Sequence, residues 1–176
     1  MSLGITPKQH GGNPTSRNEI LNQHIRASEI YEILYRFHKE GVFEDVESVS
    51  GEYLHEHNHI KTIACAQCPI ACEQMSMVKT GPYAGAMTGI EYECLFANSS
   101  NLGVSDINSS IKLVEIADQG GMDAMSMGIT ISWAMESFEK GVLKKEDFKC
   151  KEYPDGFELT FGNGEAAVTT AEMIRD

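Results

Sequence analysis

Apolar residues recur every three or four positions through most of this chain, which is the spacing of helices that bury one face. The first such stretch is predicted to be a helix over residues 16–40, because Ser16 and Glu19 form an S-x-x-E capping box at its start. Gly41 follows as the residue that would end this helix. A second, short helix is predicted to open at Ser50.

Four further helices are predicted in the second half of the chain, each next to a capping residue or a glycine. They cover residues 91–102, the stretch from Asp106 to Gly120, the stretch from Asp123 to Lys140, and residues 165–175. Asp is favoured as an N-cap, and Gly is favoured just past a helix end. The helix after Asp123 is predicted to be mostly buried because of its large side chains, Met125, Ile129, Trp133, Met135 and Phe138. With one short strand predicted over residues 159–161, the fold class is mainly α with minor β.

Composition and charge exclude several classes of protein. The chain has 176 residues, of which 26 are acidic and 14 are basic, and its net charge is −12. Phosphate backbones attract the opposite charge, so we expect no nucleic-acid partner. No apolar run is long enough to span a membrane, and no signal peptide is visible. Five cysteines, an odd number, argue against a disulfide scaffold and favour a reducing cytoplasm.

Three of these cysteines, Cys65, Cys68 and Cys72, lie within eight residues and are here called the cysteine triplet. Thiolates in such a C-x2-C-x3-C spacing can converge on zinc, copper(I) or an iron–sulfur cluster. Structural zinc sites usually use two separate pairs, whereas a triplet with a distant fourth ligand is common for iron–sulfur clusters. The alternative is a chance group of small buried side chains. Pro69 suits the first turn of a short helix inside this segment.

His55, His57 and His59 alternate with other residues, which gives a second candidate metal site. In an extended segment the three imidazoles would share one face and could bind a transition metal. The alternative is a polar turn on the surface.

Three motifs occur in a fixed order and carry a family resemblance. They are the cysteine triplet, then Gly81-Pro82-Tyr83-Ala84-Gly85 with Gly89-Ile90-Glu91-Tyr92-Glu93, then Asp118-Gln119-Gly120-Gly121-Met122-Asp123. Together they resemble the aldehyde ferredoxin oxidoreductase family of tungsten or molybdenum bis-pterin enzymes, over about residues 36–170. The resemblance implies a multihelical domain of the family's C-terminal type.

The resemblance also implies an organisation into parts. We expect a leader loop over residues 1–15, a helical domain that binds a cluster and a pterin over residues 16–150, and a truncated start of the next domain over residues 151–176. These parts correspond to the family's second domain and the start of its third. The chain is therefore expected to be a fragment.

The resemblance assigns roles to particular residues. The cysteine triplet would supply three thiolates to a [4Fe–4S] cluster whose fourth cysteine lies in the family's third domain. Cys94 and Cys150 do not match that fourth position. Pterin contacts are expected from the segment between two helices, namely Asp118, Gly121, Met122 and Asp123. The alternative for this segment is ordinary helix punctuation by Gly and Asp.

Glu93 is expected to be the catalytic carboxylate, moving a proton near the metal. Glu91 lies two residues earlier and would point to a different side of a helix. The resemblance gives Glu93 the role.

The function that the resemblance implies is a fragment of a tungsten-dependent oxidoreductase. The parent enzyme would oxidise small aldehydes to carboxylic acids and pass electrons through the cluster to ferredoxin. Its partners would be ferredoxin and the missing domains of the same enzyme, with a homodimer possible, and the fragment alone is expected to be inactive. Two alternatives stay open: a small electron-transfer protein using the triplet plus Cys94 or Cys150, and a non-catalytic helical interaction module.

Overall fold

The structure, a computed structural model, describes residues 43–176. The predicted leader over residues 1–15 and the predicted helix over residues 16–40 lie outside the described residues. The described part contains five α-helices and one three-stranded antiparallel sheet, which confirms a mainly α chain with minor β. None of the helices between residues 43 and 176 has the length and apolar content needed to cross a bilayer.

The helices are α1 (Gly51–His57), α2 (Tyr92–Ala97), α3 (Ile107–Gly120), α4 (Ala124–Glu139) and α5 (Gly164–Arg175). Short 3-10 helices cover Val46–Val49, Ser100–Leu102 and Lys145–Asp147. The predicted caps are confirmed: Ser50 accepts the Tyr53 N–H, Asp106 accepts from Asn108 and Ser109, and Asp123 accepts from Ser126. These side chains satisfy backbone N–H groups that a helix start leaves unpaired.

The sheet is the element that the sequence did not predict. Its strands are β1 (His59–Ile63), β2 (Glu73–Met77) and β3 (Met87–Ile90), in the order β1-β2-β3. Its buried face carries three polar side chains, Gln74, Ser76 and Thr88. A strand with one buried face normally places apolar residues on that face. Here the buried face is largely polar, so the alternation that would predict these strands is missing from the sequence.

The hydrophobic core lies between the sheet and the longer helices. Helix α3 packs against β3, α4 and α5 and contributes Leu113 and Ile116, both with 0% exposure. Helix α4 contributes Ile131 and Met135. Its predicted burial is wrong for Trp133, which is 54% exposed and lies on the outer side of the helix.

Close backbone packing explains the orientation of α4. A Cβ atom on Gly128 would lie 2.4 Å from the carbonyl oxygen of Ala97, so α4 approaches α2 through a residue without a side chain. This contact turns the stripe of Ala124, Gly128 and Ile131 inward and leaves Trp133 outward. Helix α2 itself ends at Ala97, before a 3-10 turn, and is shorter than the helix predicted over residues 91–102.

The C-terminal segment shares this core. Leu159 is fully buried, yet residues 159–161 pair with no strand, so the predicted strand there is wrong. Gly162 instead donates its N–H to the Leu102 carbonyl at 2.9 Å. Helix α5 packs against α3, and Ala167 joins the same hydrophobic cluster. The proposed division at residue 150 stays a prediction.

Candidate cluster and cofactor site

The cysteine triplet lies in the loop of residues 64–72, which joins β1 to β2. The pair Ile63↔Glu73 closes this loop. Cys65 is exposed, whereas Cys68 and Cys72 are partly buried. The predicted helical turn at Pro69 is wrong, because the paired strands force the chain to return within nine residues and leave only turns and bends there.

Two residues of this loop have left-handed backbone angles although neither is glycine. Gln67 has φ of 62° and Ala71 has φ of 50°. Each directly precedes a cysteine, Cys68 or Cys72. A left-handed residue other than glycine costs roughly 1–2 kcal/mol. Strain of this kind concentrates at functional sites, where the surrounding structure holds it in place.

The sulfur atoms of the triplet interact electrostatically. Burial raises the pKa of the Cys72 thiol, and the Glu91 carboxylate raises it further. Cys68 and Cys65 add smaller contributions in the same direction. In residues 43–176, no three His, Cys, Asp or Glu side chains are gathered closely enough to hold a metal ion. The triplet is therefore three thiols on one strained loop rather than a closed ligand set, and its soft donors suit a thiolate-bound metal or cluster.

The second part of the site is the connection between α3 and α4, residues 118–123, here called the aspartate turn. Gly121 has φ of 63° and donates its N–H to the Asp118 carbonyl at 3.1 Å. Met122 donates to the Ala117 carbonyl at 2.8 Å. These bonds form a Schellman motif, so the predicted helix end at the glycines is confirmed. A Cβ atom on Gly121 would meet nothing within 4 Å, which leaves this backbone open to a ligand.

The two carboxylates of the turn have different partners. The Thr88 hydroxyl donates a short hydrogen bond to Asp118. Asp123 accepts the Ser126 N–H at 2.7 Å, and hydrogen bonds from Ser126 lower the pKa of its carboxyl. Asp123 therefore caps α4, as expected if this segment served only to end one helix and begin the next. Both aspartates remain exposed, and their contact with a pterin stays a prediction, as it does for Gly121 and Met122.

Glu91 and Cys94 link the two parts of the site through electrostatic interactions. Burial raises the pKa of the Cys94 thiol to about 11, with further contributions from Glu91 and then Asp118. Glu91 also acts on Cys72, so one carboxylate interacts with a thiol of the triplet and with Cys94. The sheet explains this arrangement, because Cys72 directly precedes β2 while Glu91 directly follows the neighbouring strand β3.

The two candidate glutamates, Glu91 and Glu93, differ in position and in burial. Glu93 lies on the first turn of α2 with an exposed side chain. Glu91 occupies the N-cap position, makes no side-chain capping bond and is partly buried near Cys72 and Cys94. The catalytic role of Glu93 stays a prediction. The signal for Glu91 was its place directly after a strand, which the sequence analysis did not find.

The three histidines do not share an extended face. His55 and His57 lie on α1, and His59 begins β1. The His57 ring stacks on Tyr53 with centroids 4.0 Å apart, and the His55 and His59 rings lie 4.4 Å apart. The extended arrangement required by the three-histidine metal hypothesis is therefore wrong.

Comparison with known proteins places these observations in a family. Residues 23–176 match the family model described as aldehyde ferredoxin oxidoreductase, domains 2 and 3. The chain is 35% identical over 159 residues to a tungsten-containing aldehyde ferredoxin oxidoreductase of Pyrococcus abyssi, covering 90% of this chain and 25% of that protein. It is 33% identical over 159 residues to the Pyrococcus horikoshii protein of the same name, with the same coverage.

A relative with a different name also matches. The aliphatic sulfonate oxidoreductase, WOR-like subunit, of Pyrococcus furiosus is 30% identical over 108 residues, which are 61% of this chain and 16% of that protein. The chain spans about a quarter of the length of the tungsten-containing relatives from the two other Pyrococcus species. The resemblance seen in the sequence is confirmed, and the chain belongs to the aldehyde ferredoxin oxidoreductase family.

Proposed function

We propose that this chain is the cluster- and pterin-binding part of a tungsten-dependent oxidoreductase that converts aldehydes to carboxylic acids. Electrons would leave through a [4Fe–4S] cluster bound by Cys65, Cys68 and Cys72, and ferredoxin would accept them. The segments that complete the enzyme would come from the remaining length seen in the relatives. The chain by itself would lack the activity.

One observation carries this proposal: the pairing of β2 with β3 brings Cys72, directly before β2, next to Glu91, directly after β3. The Glu91 carboxylate raises the pKa of both Cys72 and Cys94. Cys94 in turn interacts with Asp118 and Asp123. This series of neighbours supports a cluster loop and a cofactor turn on the same part of the surface. Such closeness is what electron transfer between a pterin and a cluster requires.

The residues of the chain would have separate tasks. The triplet thiolates would bind iron, because soft sulfur donors select such clusters. The Asp118 carboxylate, oriented by Thr88, would accept N–H hydrogen bonds from a pterin. Gly121 would let the backbone approach the cofactor closely. When bound, the tungsten group supplies the two-electron oxidation and the cluster supplies a one-electron exit.

Two carboxylates compete for the proton-transfer task. Glu93 would take it if further polypeptide encloses its exposed side chain, because a general base works best in a closed site. Glu91 is the alternative on geometry, since it is already partly buried beside two thiols. Exchange of Glu91 or Glu93 for Gln in the full-length protein separates them, since only the catalytic exchange abolishes turnover while tungsten and iron contents stay unchanged.

Cys94 is poorly suited to be the fourth cluster ligand. Its position does not match that of the family's fourth cysteine. Burial and nearby carboxylates also raise the pKa of its thiol to about 11 in the metal-free chain. The fourth ligand would therefore come from another segment of the enzyme or from solvent. The odd number of cysteines supports a reducing cytoplasm as the location.

The substrate class rests on the names of relatives. Two of them are called aldehyde ferredoxin oxidoreductases, and a third is called an aliphatic sulfonate oxidoreductase. We favour aldehydes because the relatives named for them match 90% of this chain rather than 61%.

Anaerobic reconstitution with iron and sulfide tests the proposal. We expect the chain to bind an oxygen-labile cluster, seen by its visible absorption and by electron paramagnetic resonance after reduction. Exchange of Cys65, Cys68 or Cys72 for Ser should abolish it, whereas Cys150→Ser should not. If Cys94→Ser or Cys150→Ser abolished the cluster instead, the chain would be an independent electron-transfer protein. Failure to bind iron at all would favour a non-catalytic helical module.

A further inference from the structure

Gln74 is a buried glutamine next to the cysteine loop and has no part in the function proposed so far. It lies on β2, two residues after Cys72, and its exposure is 1%. Burying an amide costs free energy unless both its donor and its acceptor find partners. The partners of this amide therefore indicate why it is there.

Both ends of the Gln74 amide are occupied. Its Nε2 donates to the carbonyl oxygen of Cys72 at 3.3 Å. Its Oε1 accepts from the hydroxyl of Thr62 on β1 at 3.4 Å. The side chain thus joins the last cysteine of the triplet to the strand that enters the loop.

The bonds continue to a histidine. The Thr62 Oγ1 lies 3.1 Å from Nε2 of His59. Because the Thr62 hydroxyl donates its one hydrogen to Gln74, the contact with His59 is a hydrogen bond in the tautomer that carries a hydrogen on Nε2. The series therefore runs from His59 through Thr62 and Gln74, whose amide N–H ends on the carbonyl of Cys72.

The two bonds of Gln74 are longer than the usual 2.9–3.0 Å of an N–H···O hydrogen bond or the 2.7–2.8 Å of an O–H···O bond. Cys72 follows Ala71, whose backbone is left-handed. The direction of the Cys72 side chain depends on the backbone angles of Cys72, and these depend on how the peptide group after Cys72 is held. A hydrogen bond to the Cys72 carbonyl holds that peptide.

We infer that Gln74 is a positioning residue for Cys72, which it holds in the direction needed to ligate a metal or cluster together with Cys65 and Cys68. This inference rests on the proposed role of the triplet as a ligand set. Groups that orient metal ligands from behind typically change metal affinity 10–100-fold when they are removed. A glutamine buried only for stability would not change the geometry of the bound metal.

The test uses Co²⁺ alone as a probe of the three thiols in the anaerobic 176-residue chain. Thiolate binding gives a charge-transfer band, and the visible bands report the geometry around the metal. Gln74→Met keeps the volume of the side chain and removes both hydrogen bonds. We expect it to weaken Co²⁺ binding by about 10-fold or more and to alter the visible spectrum.

Ser76→Ala is the matched control. Ser76 is buried on the same strand and the same face. Its hydroxyl donates to the main-chain carbonyl of Gln74 and not to the cysteine loop. We expect Ser76→Ala to bind Co²⁺ with unchanged affinity and spectrum. If Gln74→Met also behaved like the wild type, the inference would be overturned. If the wild-type chain bound no Co²⁺ through the triplet, the result would contradict the proposed function itself, and not only the role of Gln74.

A second measurement needs no variant. In the metal-free wild type, the side-chain amide of Gln74 should exchange its hydrogens slowly and that of Gln67 quickly. Gln67 lies in the same loop with an exposed side chain, so it is an internal reference. Equal exchange rates for the two amides would contradict the hydrogen bond from Gln74 to Cys72.

Discussion

Thr88 on β3 donates its hydroxyl hydrogen to Asp118, thirty residues away in the last turn of α3. The Met87 N–H beside it donates to Glu115 at 2.9 Å, so two carboxylates of α3 bind one edge strand. Strand β3 pairs with β2, which begins directly after Cys72. The bond between Thr88 and Asp118 therefore connects the aspartate turn to the cysteine loop through the sheet.

Removing the Thr88 hydroxyl should loosen this connection. We expect Thr88→Val to lower the free energy of unfolding by about 1–2 kcal/mol, because a hydrogen bond to a carboxylate is lost while Asp118 can still reach water. Urea denaturation measures the change. Thr88→Ser keeps the hydroxyl and should lose clearly less. Equal losses in the two variants would mean that the bond contributes nothing.

The contact between α4 and α2 gives a second prediction. Gly128→Ala places a methyl group 2.4 Å from the Ala97 carbonyl oxygen, and neither backbone can move freely. We expect this overpacking to cost about 1–3 kcal/mol in unfolding free energy.

Gly120→Ala is its control, because Gly120 is also helical and its nearest neighbours are the flexible side chains of Arg175 and Met122. We expect a change below about 1 kcal/mol there. A result in which Gly120→Ala is the more damaging exchange would refute the packing described for α4.

Cys94 should react slowly with alkylating reagents. Its pKa is raised to about 11 by burial, by Glu91 and by Asp118, and only the thiolate is nucleophilic. Exposed Cys65 should be modified first in a time course followed by mass spectrometry. Removing a negative neighbour lowers the pKa, so Asp118→Asn should accelerate modification of Cys94. An unchanged rate in this variant would mean that the Asp118 carboxylate does not act on the Cys94 thiol.

His59 gives the chain a pH dependence. Burial and then the neighbouring His55 lower the pKa of His59 below its usual value of 6.5. The folded state thus binds a proton less readily than the unfolded state, so this contribution to stability is complete above pH 6.5. It is lost as pH falls from 6.5 through the folded pKa.

Nuclear magnetic resonance titration of the ring protons measures the His59 pKa directly. We expect a value under 6.5 in wild type and a higher value in His55→Gln, which removes a like charge. A His59 that titrates at or above 6.5 in wild type would contradict the packing seen at the start of β1.

Local chemistry made much of this fold predictable. Asp106, Asp123 and Gly121 set helix ends through bonds to residues within a few positions, and these predictions are confirmed. The sheet was missed because its buried polar residues are satisfied by partners that a strand pattern does not contain. Thr88 is stable in the interior only because Asp118 accepts its hydrogen from a helix thirty residues away.

The same limit applies to the site. The spacing of Cys65, Cys68 and Cys72 is visible in the sequence, and so is the aspartate turn. That Glu91 comes close to Cys72 depends on the pairing of β2 with β3, which no local pattern predicted. The exposure of Trp133 depends likewise on the contact of Gly128 with a distant backbone.

The proposed function requires that the cysteine triplet and the aspartate turn face the same part of the surface. Its most direct test compares amide resonances of the chain loaded with paramagnetic Co²⁺ and with diamagnetic Zn²⁺, since the shift differences fall steeply with distance from the metal. We predict large differences at Glu91 and Cys94 and clear ones at Gly121, Met122 and Asp123. Resonances of the aspartate turn that stay unchanged, while those of the cysteine loop shift, would contradict the claim.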